Sequence, residues 1–318
     1  MRLSAVPPPK PDFEKKGRLR ASESARPARA AGVRVYVGDC RETLPEIPQV
    51  KKHEVDLVFA DPPFNWARAY DEWHDKMPDS EYLSFTYDWL DLCIGALRDH
   101  GSIWVNIPDD WAAEIVVHLK QRGLKMVNWC VWHYRFGQNT TSRFINSKVH
   151  ALYFCKDPSH PARRWNPERV LEMSDRASTY FDPRTLAKRD GMPAGRRVPM
   201  DVWYGRYWGR IQGNNKERRQ GHDNQLPEVY LERVLLATSN EGDLVLDPFL
   251  GSGTTGVLAH HYGRGLIGTE YSRANAERSF ERIRTGPIRA GLNEDAVTAI
   301  HEPRRRRPVD RDGEGAHA

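Results

Sequence analysis

An open α/β sheet with a loop-rich second lobe is the fold that this sequence predicts. Runs of strand length alternate with stretches whose apolar residues recur every three or four positions, over about residues 33–155 and again over 220–285. Between Lys156 and Arg219 that regularity is lost, and Pro, Gly, Arg and aromatic residues take its place. Strand–helix alternation on both sides of an irregular insert points to one sheet interrupted by a smaller unit.

In chain order, residues 1–30 are rich in Pro, Arg and Ala without apolar periodicity, and read as a disordered basic arm. RVYV (34–37) and VDLVFA (55–60) read as buried strands ending in acidic turns, Gly38-Asp39 and Asp61-Pro62-Pro63. Asp79 is placed to cap a helix whose face is Tyr82, Phe85, Trp89, Leu92, Cys93 and Ala96. SIWVNI (102–107) is the next strand, and Trp111, Ile115 and Leu119 stripe a helix that Gly123 ends. KMVNWCVWHY (125–134) and KVHALYFC (148–155) are β-rich and predict an antiparallel edge pair. Beyond the insert come a helix after Pro227, the strand DLVLD (243–247), a helix after Gly253, the strand GLIGTE (265–270) and a helix after Ser272. Residues 31–155 and 220–301 are thus expected to be two halves of one domain, 156–219 an insert, and 302–318 a disordered tail.

With 318 residues, 29% of them charged and 39% hydrophobic, the chain has the composition of a soluble protein. No run approaches the length of a membrane-spanning helix, and no apolar segment of a secretory leader follows the N-terminal charges. Cys40, Cys93, Cys130 and Cys155 form no C-x-x-C pair, so neither a zinc site of the usual spacing nor a disulfide framework is expected. Four separate thiols fit a reducing cytoplasm. No metal role is expected for His260 and His261. The net charge of +5 is unevenly spread: +5 lies in residues 1–30, +7 in 156–219 and +1 in 302–318, which leaves the rest at −8. An acidic body with a basic insert predicts a polyanionic partner held by one part of the molecule. Arg304–Arg307 would add a non-specific polyanion contact or a solvated end.

In open α/β sheets ligands bind beyond the carboxyl ends of the strands, so the residues there matter most. DLVLD runs into Pro248-Phe249-Leu250-Gly251-Ser252-Gly253-Thr254-Thr255. The glycines let the backbone turn tightly and approach a ligand, and the threonines can open the next helix. A nucleoside triphosphate loop would need G-K-[ST], which is missing here. G-S-G-T-T-G (251–256) does match the dinucleotide fingerprint, and Glu270 at the next strand end suits two ribose hydroxyls. An adenosine-containing ligand fits, and a dinucleotide-dependent oxidoreductase stays open. The other strand end is Asp61-Pro62-Pro63-Phe64-Asn65. Its prolines fix φ and remove two donors, leaving the Pro62 carbonyl free to accept. Acceptors beside an aromatic ring suit a planar base with an exocyclic amino group. Accepting its hydrogens favours a pyramidal nitrogen whose lone pair can attack an electrophilic methyl.

D-P-P-F-N after one strand and D-P-F-L-G-S-G-T-T after a later one resemble the S-adenosylmethionine-dependent DNA amino-methyltransferases. The order of the two motifs is that of the permuted β class. YVGDCRETL (36–44) is similar to that family's segment upstream of the catalytic strand. GHDNQLPEVYLERVLLATSNEGD (221–243) resembles its H-P-x-Q-K-P-E-x-L block, with Asp223 in place of the first Pro and Leu226 in place of Lys.

The resemblance implies a permuted, seven-stranded Rossmann-like methyltransferase sheet, 31–155 being its catalytic half and 220–301 its cofactor half. It implies site-specific transfer of a methyl from S-adenosylmethionine to an exocyclic nitrogen of a flipped base in double-stranded DNA, without metal. Asp61, Pro62, Pro63 and Phe64 would bind and activate the amine. Asp247, Pro248, Phe249, Gly251, Ser252, Gly253, Thr254 and Thr255 would line the methionine end of the cofactor, with Glu270 on the ribose. Asp39 and the Cys40 backbone would face the adenine, and Gln225 and Pro227 would close over the methionine end. In this family an Asp that opens the catalytic motif usually accompanies adenine N6, and a Ser cytosine N4. The insert lies where the family keeps its target-recognition region. Arg163, Arg164, Arg184, Arg196, Arg197, Arg206 and Arg210 are its candidate DNA contacts, interleaved with Trp165, Tyr180, Phe181, Trp203, Tyr204, Tyr207 and Trp208. Trp203 and Trp208 are the best candidates for a small satellite core. A homodimer, a paired restriction endonuclease and a nucleoid-associated cytoplasmic location are compatible with the family; a DNA-binding protein with a dead site is the remaining competitor.

Overall fold

The computed structural model describes residues 18–20, 32–68, 75–134, 137, 139–174, 176, 184, 193–219, 222 and 224–291. Its strands are β1 (Arg18–Arg20), β2 (Val33–Val37), β3 (Val55–Ala60), β4 (Leu97–Ile107), β5 (Lys125–His133), β6 (Lys148–Cys155), β7 (Glu172–Met173), β8 (Arg196–Arg197), β9 (Val202–Trp203), β10 (Leu244–Asp247) and β11 (Gly265–Glu270). The helices are α1 (Cys40–Thr43), α2 (Pro48–Lys51), α3 (Asp79–Ala96), α4 (Asp109–Gln121), α5 (Glu228–Thr238), α6 (Thr254–His261) and α7 (Arg273–Thr285).

β3 and β10 are buried at every position. A strand hidden on both faces needs a helix layer on each side, which is why both read as unbroken apolar runs. α3 and α4 pack on each other, while α5, α6 and α7 form a second group. The large sheet runs β1-β2-β11-β10-β3-β4-β6-β5-β9. β2, β11, β10, β3 and β4 are mutually parallel, so their carboxyl ends open on one edge. β6 is antiparallel to both β4 and β5. All seven expected strands are present. The last two in the chain insert between β2 and β3, which brings the two motif-bearing strand ends side by side.

Four expectations change. The sheet has nine strands among the described residues, since β1 pairs antiparallel with β2 and β9 pairs parallel with β5. Residues 18–20 of the expected disordered arm therefore belong to the sheet; the remainder of that arm, the tail with Arg304–Arg307, Tyr180 and Phe181 lie outside the described residues. α3 is preceded by Pro78 at its cap position without a side-chain cap; Asp79 is its first residue, where its charge meets the positive helix end. Trp203 and Trp208 are buried as expected, but in the main core rather than a satellite. They surround Tyr230 of α5 at ring distances of 5.4 and 6.2 Å, and Trp132 of β5 donates its indole N–H to the Trp208 carbonyl at 2.6 Å. No helix among the described residues is long and apolar enough to cross a membrane.

Trp208 fills space between the insert and the sheet, so truncating it leaves a cavity that neighbours cannot close. Trp208→Ala should lower the unfolding free energy by about 3–5 kcal/mol in urea denaturation. A loss below about 1 kcal/mol would mean that the insert is anchored elsewhere.

Candidate active site

The turn beyond β3 is rigid because nearly every polar group in it is engaged. Tyr82 donates its hydroxyl to the Pro63 carbonyl at 2.7 Å, and Trp111 its indole N–H to the Phe64 carbonyl at 2.9 Å. Asn65 sits at φ 61°, and the buried Asp75 carboxylate accepts the backbone N–H groups of Asn65, Trp66 and Arg68. The Asn65 side chain pairs in both directions with the Met77 backbone. Among the described residues, no donor reaches the Pro62 carbonyl.

Asp61 leaves the end of β3 beside that free carbonyl. Asn106 of β4 donates to its Oδ1 at 2.7 Å, and the buried Tyr230 hydroxyl in turn donates to Asn106 Oδ1 at 3.1 Å. One carboxylate oxygen is thus fixed, which leaves Oδ2 for a ligand. Burial pushes the Asp61 carboxyl up to about 8; the Asn106 hydrogen bond opposes this and Asp247 adds to it. Asp247, at the end of β10, is pushed up to about 7, again by burial, against hydrogen bonds from Thr255 and the Phe249 N–H.

The loop after β10 turns on Gly251 (φ 51°) and Gly253 (φ 79°). A Cβ at Gly253 would stand 2.9 Å from Ser279 Cβ, so this glycine serves close packing of α7 on the loop. A Cβ at Gly251 would meet only the Phe249 carbonyl at 3.7 Å, because that face opens on the cavity. Arg282 of α7 braces the loop, donating to the Ser252 carbonyl (3.0 Å) and Thr254 Oγ1 (2.9 Å) while its other nitrogen pairs with Glu228 (3.0 Å). Glu270 accepts the Gly251 N–H at 2.9 Å and the Ser272 N–H at 3.2 Å.

These strand ends enclose two adjoining cavities. The smaller, about 120 Å³, is lined by Asp39, Cys40, Asp61, Pro63, Pro248, Phe249, Gly251 and Glu270, with Phe85, Tyr271 and Asn275. The larger, about 240 Å³, is lined by Asp61, Pro62, Gln225, Asp247, Ser252, Thr254 and Thr255, with Arg68, His222 and Leu226. Asp61, His222, Phe249 and Gly251 are common to both. Four carboxyl groups, Asp39, Asp61, Asp247 and Glu270, stand beside apolar rings in these walls, surroundings that suit a cationic ligand with a planar end.

Phe64 and Gly253 lie off both cavities, whereas Gln225, Asp39 and Cys40 line them and are tied to the scaffold as well. Phe64 is 3% exposed, packs edge-on against Trp66 at 5.1 Å and lines neither cavity; the pinned turn carries its ring inward. Gly253 lines neither. Both amide ends of Gln225 bond to the insert backbone, at the Glu217 carbonyl (2.7 Å) and the Arg219 N–H (3.0 Å). Asp39 caps α1 and pairs with Arg41 at 2.7 Å, and the Cys40 thiol is buried.

Arg164 pairs with Asp243 at 3.0 Å and Arg197 with the buried Glu172 at 3.1 Å, which ties both to the scaffold rather than to a solvent-facing phosphate surface. Arg163 donates to the Tyr153 hydroxyl, and Arg206 lies over Tyr207. Arg196 is half-buried in β8, and Arg184 is exposed. Asn106 and Arg282 were not among the expected site residues. A lone Asn in the apolar run SIWVNI is a legible signal, whereas Arg282 is one of many charges on α7 and gives none.

Residues 55–281 match the family described as DNA methylase. The chain belongs to this family. It is 29% identical over 245 residues to the type II methyltransferase M.HpaI of Haemophilus parainfluenzae, over 77% of this chain and 73% of that one. The fold is similar to that of an M1.HpyAVI–SAM complex (TM-score 0.55, 18% identity, 78% of this chain and 98% of that chain). It is also similar to the cytosine-N4-specific PvuII DNA methyltransferase (TM-score 0.56, 16% identity, 78% and 85%).

A carboxyl raised in the folded state holds a proton that the unfolded chain has already lost, so stability present at acid pH drains away as pH rises through the folded value. The contribution of Asp61 should therefore fall between about pH 4 and pH 8. Asp61→Asn keeps an acceptor for Asn106 and should remove up to about 1.4 kcal/mol per pH unit from that decline. Urea denaturation of ligand-free wild type and variant across this range checks it; identical pH slopes would contradict the raised value.

Proposed function

We propose that this DNA methylase transfers a methyl group from S-adenosylmethionine to the exocyclic N6 of adenine at a specific site in double-stranded DNA. The observation that carries the reading is the pair of acceptors at the end of β3, Asp61 Oδ2 and the Pro62 carbonyl, beside the glycine loop of β10. An aromatic amine is a poor nucleophile because its lone pair is delocalised. Two acceptors on its hydrogens favour the pyramidal form, in which the lone pair points out of the ring. S-adenosylmethionine, when bound, supplies an electrophilic methyl on a sulfonium. Asp39, Asp247, Gly251 and Glu270 are the residues proposed to hold it, and its positive charge would draw the raised Asp61 and Asp247 carboxyls back to their anionic forms. With the amine held by Asp61 and the Pro62 carbonyl, the N–C bond would form as the S–C bond breaks, that electron pair staying on sulfur. The extra proton on nitrogen is then lost, with the anionic form of Asp61 as its first acceptor. Extruding the base costs a few kcal/mol, offset by binding along the basic surface. Asp rather than Ser at position 61 is what favours adenine over cytosine.

Single-molecule sequencing of DNA from cells expressing the gene should find N6-methyladenine at one short sequence. Finding N4-methylcytosine there would overturn the choice of base and leave methyl transfer intact. Asp61→Ala should abolish methylation of that site while the purified variant still binds S-adenosylmethionine in calorimetry. Methylation at the wild-type rate would remove Asp61 from the mechanism.

A further inference from the structure

Arg164 and Arg197 of the insert already face carboxylates, but one cluster of arginines does not. Arg68, Arg210 and Arg218 line a third cavity of about 370 Å³ with Gln212 and His222. It adjoins the larger active-site cavity, since Arg68 and His222 belong to both walls. Among the described residues no carboxylate pairs with any of these three guanidinium groups. Arg210 donates to the amide oxygen of Asn224 at 3.3 Å and lies over the Tyr134 ring at 5.5 Å, both neutral partners. Arg218 donates to the Gly213 carbonyl at 3.3 Å, and the Arg68 side chain is exposed. Burial and the nearby Arg68 both pull the Arg210 pKa down, whereas Tyr134 acts the other way. Like charges gathered in a concave, polar site are relieved by an anion, and planar guanidinium forks match phosphate oxygens in pairs.

We propose that this cavity receives a backbone phosphate of the DNA strand that delivers its base to Asp61. The inference rests on the methyl-transfer reading above and adds a subsite to it. A base held at Asp61 is covalently tied to its own phosphates, so one of them must lie within a nucleotide's reach of that pocket. Among the described residues, the polar cavity next to Asp61 gathers three guanidinium groups that no carboxylate faces.

The test uses the full chain without cofactor and a duplex carrying the methylated sequence, with affinity read by fluorescence anisotropy over a series of salt concentrations. The double variant Arg68→Gln, Arg210→Gln should flatten the log–log salt dependence by about 0.9, the value for one phosphate that is no longer neutralised. Arg284→Gln, at an exposed pair with Glu281, removes a charge elsewhere and should keep the wild-type slope. A neutral methylphosphonate at the one linkage that occupies the cavity should weaken wild-type binding and leave the double variant unaffected. A double variant with the wild-type slope, or with the wild-type sensitivity to that methylphosphonate, would overturn the site. Methylation of the same duplex by wild type, run in parallel, separates the two readings. If wild type methylates while the variant keeps the full slope, the phosphate site falls and methyl transfer stands.

Discussion

The hydrogen-bonded chain from Tyr230 through Asn106 to Asp61 joins three parts of this molecule that would otherwise be independent. Tyr230 comes from the helix before the cofactor strand, Asn106 from β4 and Asp61 from the end of β3. The Tyr230 ring is fully buried among Phe59, Trp132, Trp203 and Trp208, so its hydroxyl has little freedom of position. Packing of the insert against the sheet is thereby converted into the orientation of one carboxylate. A polar chain in an apolar setting is costly unless each member is satisfied, and here each donor meets an acceptor. The same dry surroundings raise the Asp61 pKa, so positioning and basicity have one cause.

A second set of buried charges fixes the other half of the site. Glu228, the first residue of α5, pairs with Arg282 and accepts the backbone N–H groups of Ile288 and Arg289 at 2.7 Å each. Glu217 of the insert accepts the Glu228 N–H and pairs with Arg289 at 2.6 Å. Charges this deep are tolerated because each carboxylate faces a guanidinium group. Through Arg282 the network reaches Ser252 and Thr254, so the glycine loop is held by residues on three separate segments. The basic insert is consequently part of the scaffold as well as a surface. Arg164 and Arg197 belong to the first role, and Arg210 and Arg218, together with Arg68 from beyond β3, to the proposed second.

Much of this was legible in the residues themselves. Buried parallel strands announce themselves as unbroken apolar runs, and VDLVFA and DLVLD each end in the acidic turn that the fold places at its ligand edge. The two motifs are local, so their backbone shapes follow from Pro and Gly wherever the chain takes them. Strand order is different in kind. That β10 and β11 lie between β2 and β3 depends on long-range pairing, which no local pattern encodes.

Side-chain direction is also a property of the assembled molecule. The sequence alone specified a carboxylate, two prolines and an aromatic residue at one turn, together with a glycine loop and a distant Glu. It could not specify that Phe64 turns inward, because that follows from Trp111 and Tyr82 seizing the neighbouring carbonyls. Nor could it divide the arginines between scaffold and solvent. A guanidinium's role is set by whether a carboxylate stands opposite it, and those carboxylates, Asp243 and Glu172, come from elsewhere in the chain. Composition gave the charge of the insert; folding decided which of its described arginines face a carboxylate.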